Sequence, residues 1–226
     1  MTTAGKGTVL LIEDETAIAE MLRLYCEQEG FRLIHASNGE RGLEALRERD
    51  PRVVLLDVGL PGIDGLEVCR RIRSTSDVPV IMLTARADEV DKIVGLEVGA
   101  DDYITKPFSP REVMARVKAV LRRAEEPPRA PATIEAAEFV IDSGRRQVTT
   151  PSGEVVRPTA REFDLLWYLA ENRGLVLSRA QILESVWGYD YVGETRTVDV
   201  HVRQLRRKLD GIPIDTAWGV GYRFEG

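Results

Sequence analysis

The stretch VVLLDVGLPGIDG, residues 53–65, sets the reading of the N-terminal half of the chain. Four apolar residues, Val53–Leu56, end on the carboxylate of Asp57, and Gly59, Pro61, Gly62 and Gly65 follow as turn formers. A continuous apolar run of this length is a strand buried on both faces, and the glycines and proline mark the loop into which it opens. Asp57 therefore sits where a buried strand gives way to a loop.

The same alternation extends in both directions. Short apolar runs recur at Val9–Ile12, Leu33–Ile34, Val80–Leu83 and Tyr103–Thr105. Between them lie segments of helical periodicity, such as Ile18, Met21, Leu22 and Tyr25, or Val113, Val117, Val120 and Leu121. Five strand–helix pairs predict an α/β domain over residues 1–123, its parallel sheet covered by helices on both faces. In such a sheet, sites gather outside the C-terminal ends of the strands. Glu13 and Asp14 follow the first run, Asp57 ends the third, Thr84 follows the fourth and Lys106 the fifth.

Three acids, a hydroxyl and an ammonium on one rim have a shared chemistry. The acids suit Mg²⁺, which takes oxygen ligands and retains waters and phosphate oxygens. Lys106 can neutralise a phosphoryl group and Thr84 can hydrogen-bond one of its oxygens. With these in place, the Asp57 carboxylate can act as a nucleophile and form an acyl phosphate.

Residues 124–133, AEEPPRAPAT, hold three prolines and three charges, and they predict a linker. Beyond it, residues 134–226 change pattern. FVIDSG, RRQVTT and GEVVR read as short strands. Three helical segments follow, in PTAREFDLLWYLAEN, SRAQILESVW and ETRTVDVHVRQLRRKLDG. Ser178 and Gln181 have capping-box spacing, and Gly211 can close the third helix. IPIDTAWGVGYRFEG reads as a hairpin whose bend Gly219 and Gly221 supply.

With 226 residues, 43% hydrophobic and 30% charged, the chain can build two ordinary cores, and its net charge of −6 gives no overall signal for nucleic acid. The local distribution does. Arg196, Arg203, Arg206, Arg207 and Lys208 face a single acid, Asp199, within one helical segment. Val198, Val202, Leu205 and Leu209 form its apolar stripe, leaving Arg196, Arg203 and Arg206 on the opposite face. Such a helix, preceded by two others and followed by a glycine-rich hairpin, reads as a winged helix-turn-helix able to enter a major groove of double-stranded DNA. His201 in this helix has no second ligand nearby for a metal, and His35, closing the second strand, has no evident partner. Cys26 and Cys69 have no metal-ligand or redox spacing, which predicts buried thiols in a reducing compartment. No apolar run near the N-terminus is long enough for a signal-peptide core or a membrane span, so a cytoplasmic protein without membrane association is expected.

The segments LLIEDE, VVLLDVGLPGIDG, VIMLTAR and GADDYITKPF resemble the receiver domain of two-component response regulators. With RTVDVHVRQLRRKL and GVGYRF included, the whole chain resembles the OmpR/PhoB family. The resemblance implies a flavodoxin-like (βα)5 receiver followed by an α+β winged-helix domain with an N-terminal antiparallel sheet. It implies phosphorylation of Asp57 by a sensor histidine kinase, Mg²⁺ held by Asp14, Asp57, Glu13 and the carbonyl of Gly59, and a switch formed by Thr84 and Tyr103. It further implies a homodimer through Lys92, Glu97, Asp101, Asp102, Glu112, Arg116, Lys118 and Arg123, bound to direct-repeat promoter DNA and meeting RNA polymerase. DNA contacts are implied for Arg196, Thr197, His201, Arg203, Gln204, Arg206, Arg207, Thr216, Trp218 and Tyr222. Gln204 and Trp218 stand where relatives often carry arginine. A groove-facing Gln204 would pair with adenine, and Trp218 would pack on the sugar-phosphate backbone or bury itself at the base of the wing.

Two other classes are weighed against this. A phosphatase using Asp57 would place a general acid two residues on, but Gly59 cannot transfer a proton. A DNA-binding regulator with an unphosphorylated, purely dimerising receiver would have no use for the acids. The chain is expected to catalyse phosphotransfer to its own Asp57 and slow autodephosphorylation, without being a turnover enzyme.

Overall fold

The computed structural model describes residues 6–85, 98–125, 132–188 and 195–226, which form two compact units dividing between Leu121 and Arg122. In the first unit the strands are β1 Thr8–Ile12, β2 Arg32–Ala36, β3 Val53–Asp57, β4 Val80–Thr84 and β5 Asp102–Thr105. All neighbours are parallel, in the order β2-β1-β3-β4-β5. The helices are α1 Thr16–Gln28, α2 Gly39–Arg49, α3 Gly65–Arg73 and α4 Pro110–Glu125.

Burial on both faces explains the unbroken apolar runs: every residue of Val9–Ile12 and Val53–Leu56 is fully buried. Leu11, Leu55 and Leu83 pack with Leu22 of α1 and Val113 and Val117 of α4. On the other face α2 runs so close to β1 that a Cβ at Gly42 would meet Ile12 Cδ1 at 2.3 Å. The order places β1 between β2 and β3, so the chain leaves the ends of β1 and β3 in opposite directions across the sheet. That reversal opens a crevice at their C-terminal ends.

The loop after Asp57 is built to turn at once into α3. Asp64 caps the helix by accepting from Glu67 N at 2.7 Å. Gly65 has no room for a side chain, since a Cβ there would lie 2.1 Å from Asp57 O. The glycines following Asp57 thus let the helix start against the strand end.

The second unit opens with an antiparallel sheet, β6 Thr133–Ala136, β7 Phe139–Asp142, β8 Gln147–Thr149 and β9 Val155–Val156. Helices α5 Ala160–Glu171, α6 Arg179–Trp187 and α7 Arg196–Lys208 follow. A second sheet joins β10 Leu177–Ser178, β12 Gly221–Phe224 and β11 Ile214–Ala217, in that order. Phe163, Trp187, Val198, Leu205, Leu209 and Phe224 fill its core. Capping boxes close the starts of α5, through Thr159 and Glu162, and of α6, through Ser178 and Gln181.

Several boundaries differ from the sequence reading. Helix α4 continues to Glu125 and β6 begins at Thr133, so both ends of the 124–133 stretch are structured. Strands β6 and β10 are additional to the three strand pieces and the hairpin expected; each is set by the strand it pairs with, β7 and β12. Gly219 adopts φ +73° at the bend, as expected. Gly221 instead lies inside β12, where a Cβ would sit 2.0 Å from Leu177 O, so its role is close strand approach.

Candidate functional site

At the C-terminal edge of the first sheet, Glu13 is fully buried, Asp14 is exposed, and Asp57 and Thr84 are buried at 5% and 4%. Ligand atoms of Glu13, Asp14 and Asp57 lie within 4.8 Å of one another. Lys106 enters from the end of β5, where its N–H donates to Thr84 O at 2.7 Å. Its ammonium Nζ lies 2.8 Å from Glu13 Oε2, 3.3 Å from Asp57 Oδ2 and 3.7 Å from Glu15 Oε1. The five residues predicted to converge are therefore on one rim. Gly59 borders the site: a Cβ there would stand in ordinary van der Waals contact, 3.5 Å from Asp57 Oδ2.

The electrostatics follow from crowding. Burial raises the Glu13 pKa above the ordinary carboxylate value; Lys106 works against this and the charge of Asp57 adds to it. For Lys106, burial disfavours the ammonium, but Glu13 and Asp57 together outweigh it and raise its pKa. Three carboxylates compensated by one half-buried ammonium fit a hard divalent cation, which would relieve the remaining repulsion.

His35 is the residue that sequence reasoning missed here. Its Nε2 lies 2.7 Å from Glu13 O, and a carbonyl only accepts, so Nε2 carries the proton. Glu13 N in turn donates to Ala36 O at 3.0 Å. The end of β2 thus fastens the backbone of Glu13 from both sides. The signal in the sequence was only positional: His35 stands near the end of the strand beside β1. Tyr103 is buried, at 8% exposure.

Three residues of the expected dimer face, Asp101, Asp102 and Arg116, are buried within the single chain. Asp101 is 1% exposed and receives Arg73 Nη2 at 2.6 Å and Val80 N at 2.8 Å, so it braces the sheet from inside. Asp102 and Arg116 are also buried and pair with each other, Nη1 lying 3.0 Å from Oδ2; Arg116 also reaches Glu112 at 3.2 Å. Lys118 pairs with Glu29 of its own chain at 2.7 Å. Glu112 and Lys118 keep partial exposure, whereas Lys92, Glu97 and the Arg123 side chain lie outside the described residues.

In the second unit, Arg196, Arg203, Arg206 and Arg207 are exposed along α7. Thr197, His201 and Gln204 are not: they are 1%, 3% and 3% exposed. The buried arc of α7 is wider than the Val198–Leu209 stripe, because Thr197, Val200, His201 and Gln204 extend it on one flank. His201 Nδ1 lies 2.9 Å from Thr197 O, and its ring meets Trp187 edge-on with centroids 5.1 Å apart. A groove-facing Gln204 is therefore overturned. Tyr222 is buried as well, its hydroxyl donating to Asp199 Oδ1 at 2.6 Å. Thr216 is half-buried and accepts from Arg206 Nη2 at 3.0 Å. Trp218 is 90% exposed at the hairpin bend, which overturns burial at the base of the wing. Among the described residues no helix is long and apolar enough to cross a membrane.

These two sites agree with comparisons against known proteins. Residues 9–118 match the response regulator receiver domain, and residues 153–224 match the C-terminal domain of transcriptional regulatory proteins. The sensory transduction protein RegX3 of Mycobacterium tuberculosis is 44% identical over 230 residues, covering 97% of this chain and 99% of its own. The transcriptional regulatory protein SrrA of Staphylococcus aureus is 42% identical over 229 residues, covering 96% and 95%. Among solved structures, a mutant of RitR superposes with a TM-score of 0.76 at 30% identity over 97% of this chain and 99% of that one. DrrB, an OmpR/PhoB homologue of Thermotoga maritima, gives 0.52 at 34% identity, covering 97% and 99%.

Proposed function

This chain belongs to the OmpR/PhoB family of response regulators, and from that premise we propose a Mg²⁺-dependent switch in which phosphorylation of Asp57 drives dimerisation and promoter binding. The observation that carries it is the convergence of Glu13, Asp14, Asp57 and Lys106 at the sheet edge.

An Asp57 carboxylate oxygen attacks the phosphorus of a phosphohistidine on a sensor kinase. A P–O bond forms, the P–N bond breaks, and the departing imidazole nitrogen takes a proton from solvent. Lys106 Nζ, held by Glu13, stands close enough to offset the charge gathering on the phosphoryl oxygens. The Thr84 hydroxyl, at the end of the adjacent strand, supplies a hydrogen bond to the product and couples it to Tyr103. Glu13, Asp14, Asp57 and the Gly59 carbonyl would hold Mg²⁺, which supplies charge neutralisation at the phosphoryl group.

The exposed Arg196, Arg203 and Arg207 of α7 suit contact with phosphates and base edges of double-stranded DNA. Two copies joined through their receivers would occupy direct-repeat half-sites about one helical turn apart, in position to meet RNA polymerase. The chain catalyses its own phosphorylation and slow dephosphorylation rather than turnover, and it works in the cytoplasm. Footprinting of genomic fragments with and without a small phosphodonor and Mg²⁺ tests this. Protection of paired, directly repeated sites that strengthens with the phosphodonor is expected; identical footprints in both conditions would contradict it.

A further inference from the structure

The basic residues of α7 do not all face outward alike. Arg206 lays its guanidinium toward the hairpin, donating from Nη2 to Ile214 O at 2.6 Å and to Thr216 Oγ1 at 3.0 Å. The same guanidinium stands 5.8 Å from the Tyr222 ring centroid. Within the same unit, Arg179 at the start of α6 lies 5.2 Å from that centroid. Arg179 Nε and the Tyr222 hydroxyl both donate to one oxygen, Asp199 Oδ1, at 2.7 and 2.6 Å. Asp199, the lone acid among the bases of α7, is thus the point where α6, α7 and β12 are tied.

We propose that Asp199, Tyr222 and Arg206 are positioning residues that fix the hairpin against α7, and that Arg206 serves the protein rather than the DNA. The proposal rests on the reading of α7 as the DNA-facing helix. Its physical basis is reach and shape: both bonds come from Nη2, at the far end of the guanidinium, whereas a lysine ammonium ends short of that point and offers no planar group beside Tyr222. The Tyr222 phenol, raised to about 12 by burial and then by Asp199, stays protonated and so remains a donor at all physiological pH. The network also explains an acid in a basic helix: without Asp199, Arg179 and the Tyr222 hydroxyl would each lose this acceptor.

The test uses the full chain with Arg206→Lys, Arg206→Gln, Tyr222→Phe and, for comparison, Arg203→Lys. Amide hydrogen exchange across β11 and β12 is read without DNA, so this arm is independent of the DNA-binding reading. It is expected to quicken about tenfold in the first three variants, the scale of one lost charge-assisted hydrogen bond, while α5 and the first sheet of the unit exchange as in wild type. Affinity is then measured, as a function of salt, on a duplex obtained by in vitro selection with the wild-type chain. Arg206→Lys is expected to bind as weakly as Arg206→Gln, whereas Arg203→Lys keeps the salt dependence of a phosphate contact. Unchanged hairpin exchange in Arg206→Lys and Tyr222→Phe would overturn the proposal. So would full affinity in Arg206→Lys beside an Arg206→Gln salt slope reduced by about one contact, the signature of a phosphate ligand. Should Arg206→Gln fail to fold, Arg206→Lys and Tyr222→Phe decide the exchange arm alone.

Discussion

Lys106 Nζ lies 3.3 Å from Asp57 Oδ2, so the proposed phosphoacceptor and the ammonium proposed to answer its product charge already pair in the unphosphorylated chain. Lys106 is not the attacking atom, and its removal leaves the Asp57 carboxylate in place. Lys106→Ala is therefore expected to accept a phosphoryl group at a reduced rate while failing to dimerise. Phosphorylation followed by sedimentation checks this; normal phospho-dependent dimerisation would show that Lys106 does not read the product.

His35 holds the Glu13 carbonyl at 2.7 Å, and Glu13 in turn holds Lys106. His35→Leu keeps comparable bulk but removes the donor, so Glu13 loses one of its two backbone ties. The Mg²⁺ concentration needed for half-maximal phosphorylation is expected to rise about tenfold, the effect of losing support for a ligand. Titration of the phosphorylation rate with Mg²⁺ reads it directly, and an unchanged midpoint would make His35 an ordinary strand residue.

The family resemblance assigns Arg116 to a dimer face, yet its charge is spent on Asp102 and Glu112 of its own chain. Removing one partner of a buried pair leaves the other uncompensated. Arg116→Glu is expected to lower receiver stability by on the order of 3 kcal/mol, measured by urea unfolding, in addition to any effect on assembly. Loss of dimer in this variant without loss of stability would instead mark Arg116 as an interface residue.

Gln204→Arg separates a buried from a groove-facing position. At 3% exposure the longer, charged side chain has no room and no water. The variant is expected to lose stability by on the order of 2 kcal/mol, with the selected operator base unchanged. A new base preference in a fully stable variant would restore the groove-facing reading.

Cys26 and Cys69 are buried, and burial pushes both thiols to about 11. At neutral pH each is the neutral thiol, so neither is expected to react with an alkylating reagent until the receiver unfolds. Labelling followed by mass spectrometry, with and without denaturant, provides the check. Rapid native labelling would mean that the helices covering them open readily.

What could be read from the sequence was what local patterning encodes. The Val9–Ile12 and Val53–Leu56 runs declare strands buried on both faces, and the polar residue after each run then falls on the same edge of a parallel sheet. Ser178 and Gln181 reveal a helix start because a capping box is a contact between near neighbours. The failures share the opposite cause. Thr197, His201 and Gln204 look polar and hence exposed, but their burial depends on packing that no spacing along α7 reports. Arg206 counts as one of five bases until its two acceptors, eight and ten residues away, fix its direction. Strand β10 has two residues and exists because β12 pairs with it.

The claim on which the rest depends is that Asp57 is the phosphoacceptor, and intact-mass measurement after incubation with a small phosphodonor and Mg²⁺ tests it most directly. The wild-type chain is expected to gain the mass of one phosphoryl group, and Asp57→Asn, which keeps the shape but lacks the nucleophilic carboxylate, is expected to gain none. A phosphoryl group on Asp57→Asn, or none on the wild-type chain, would contradict it.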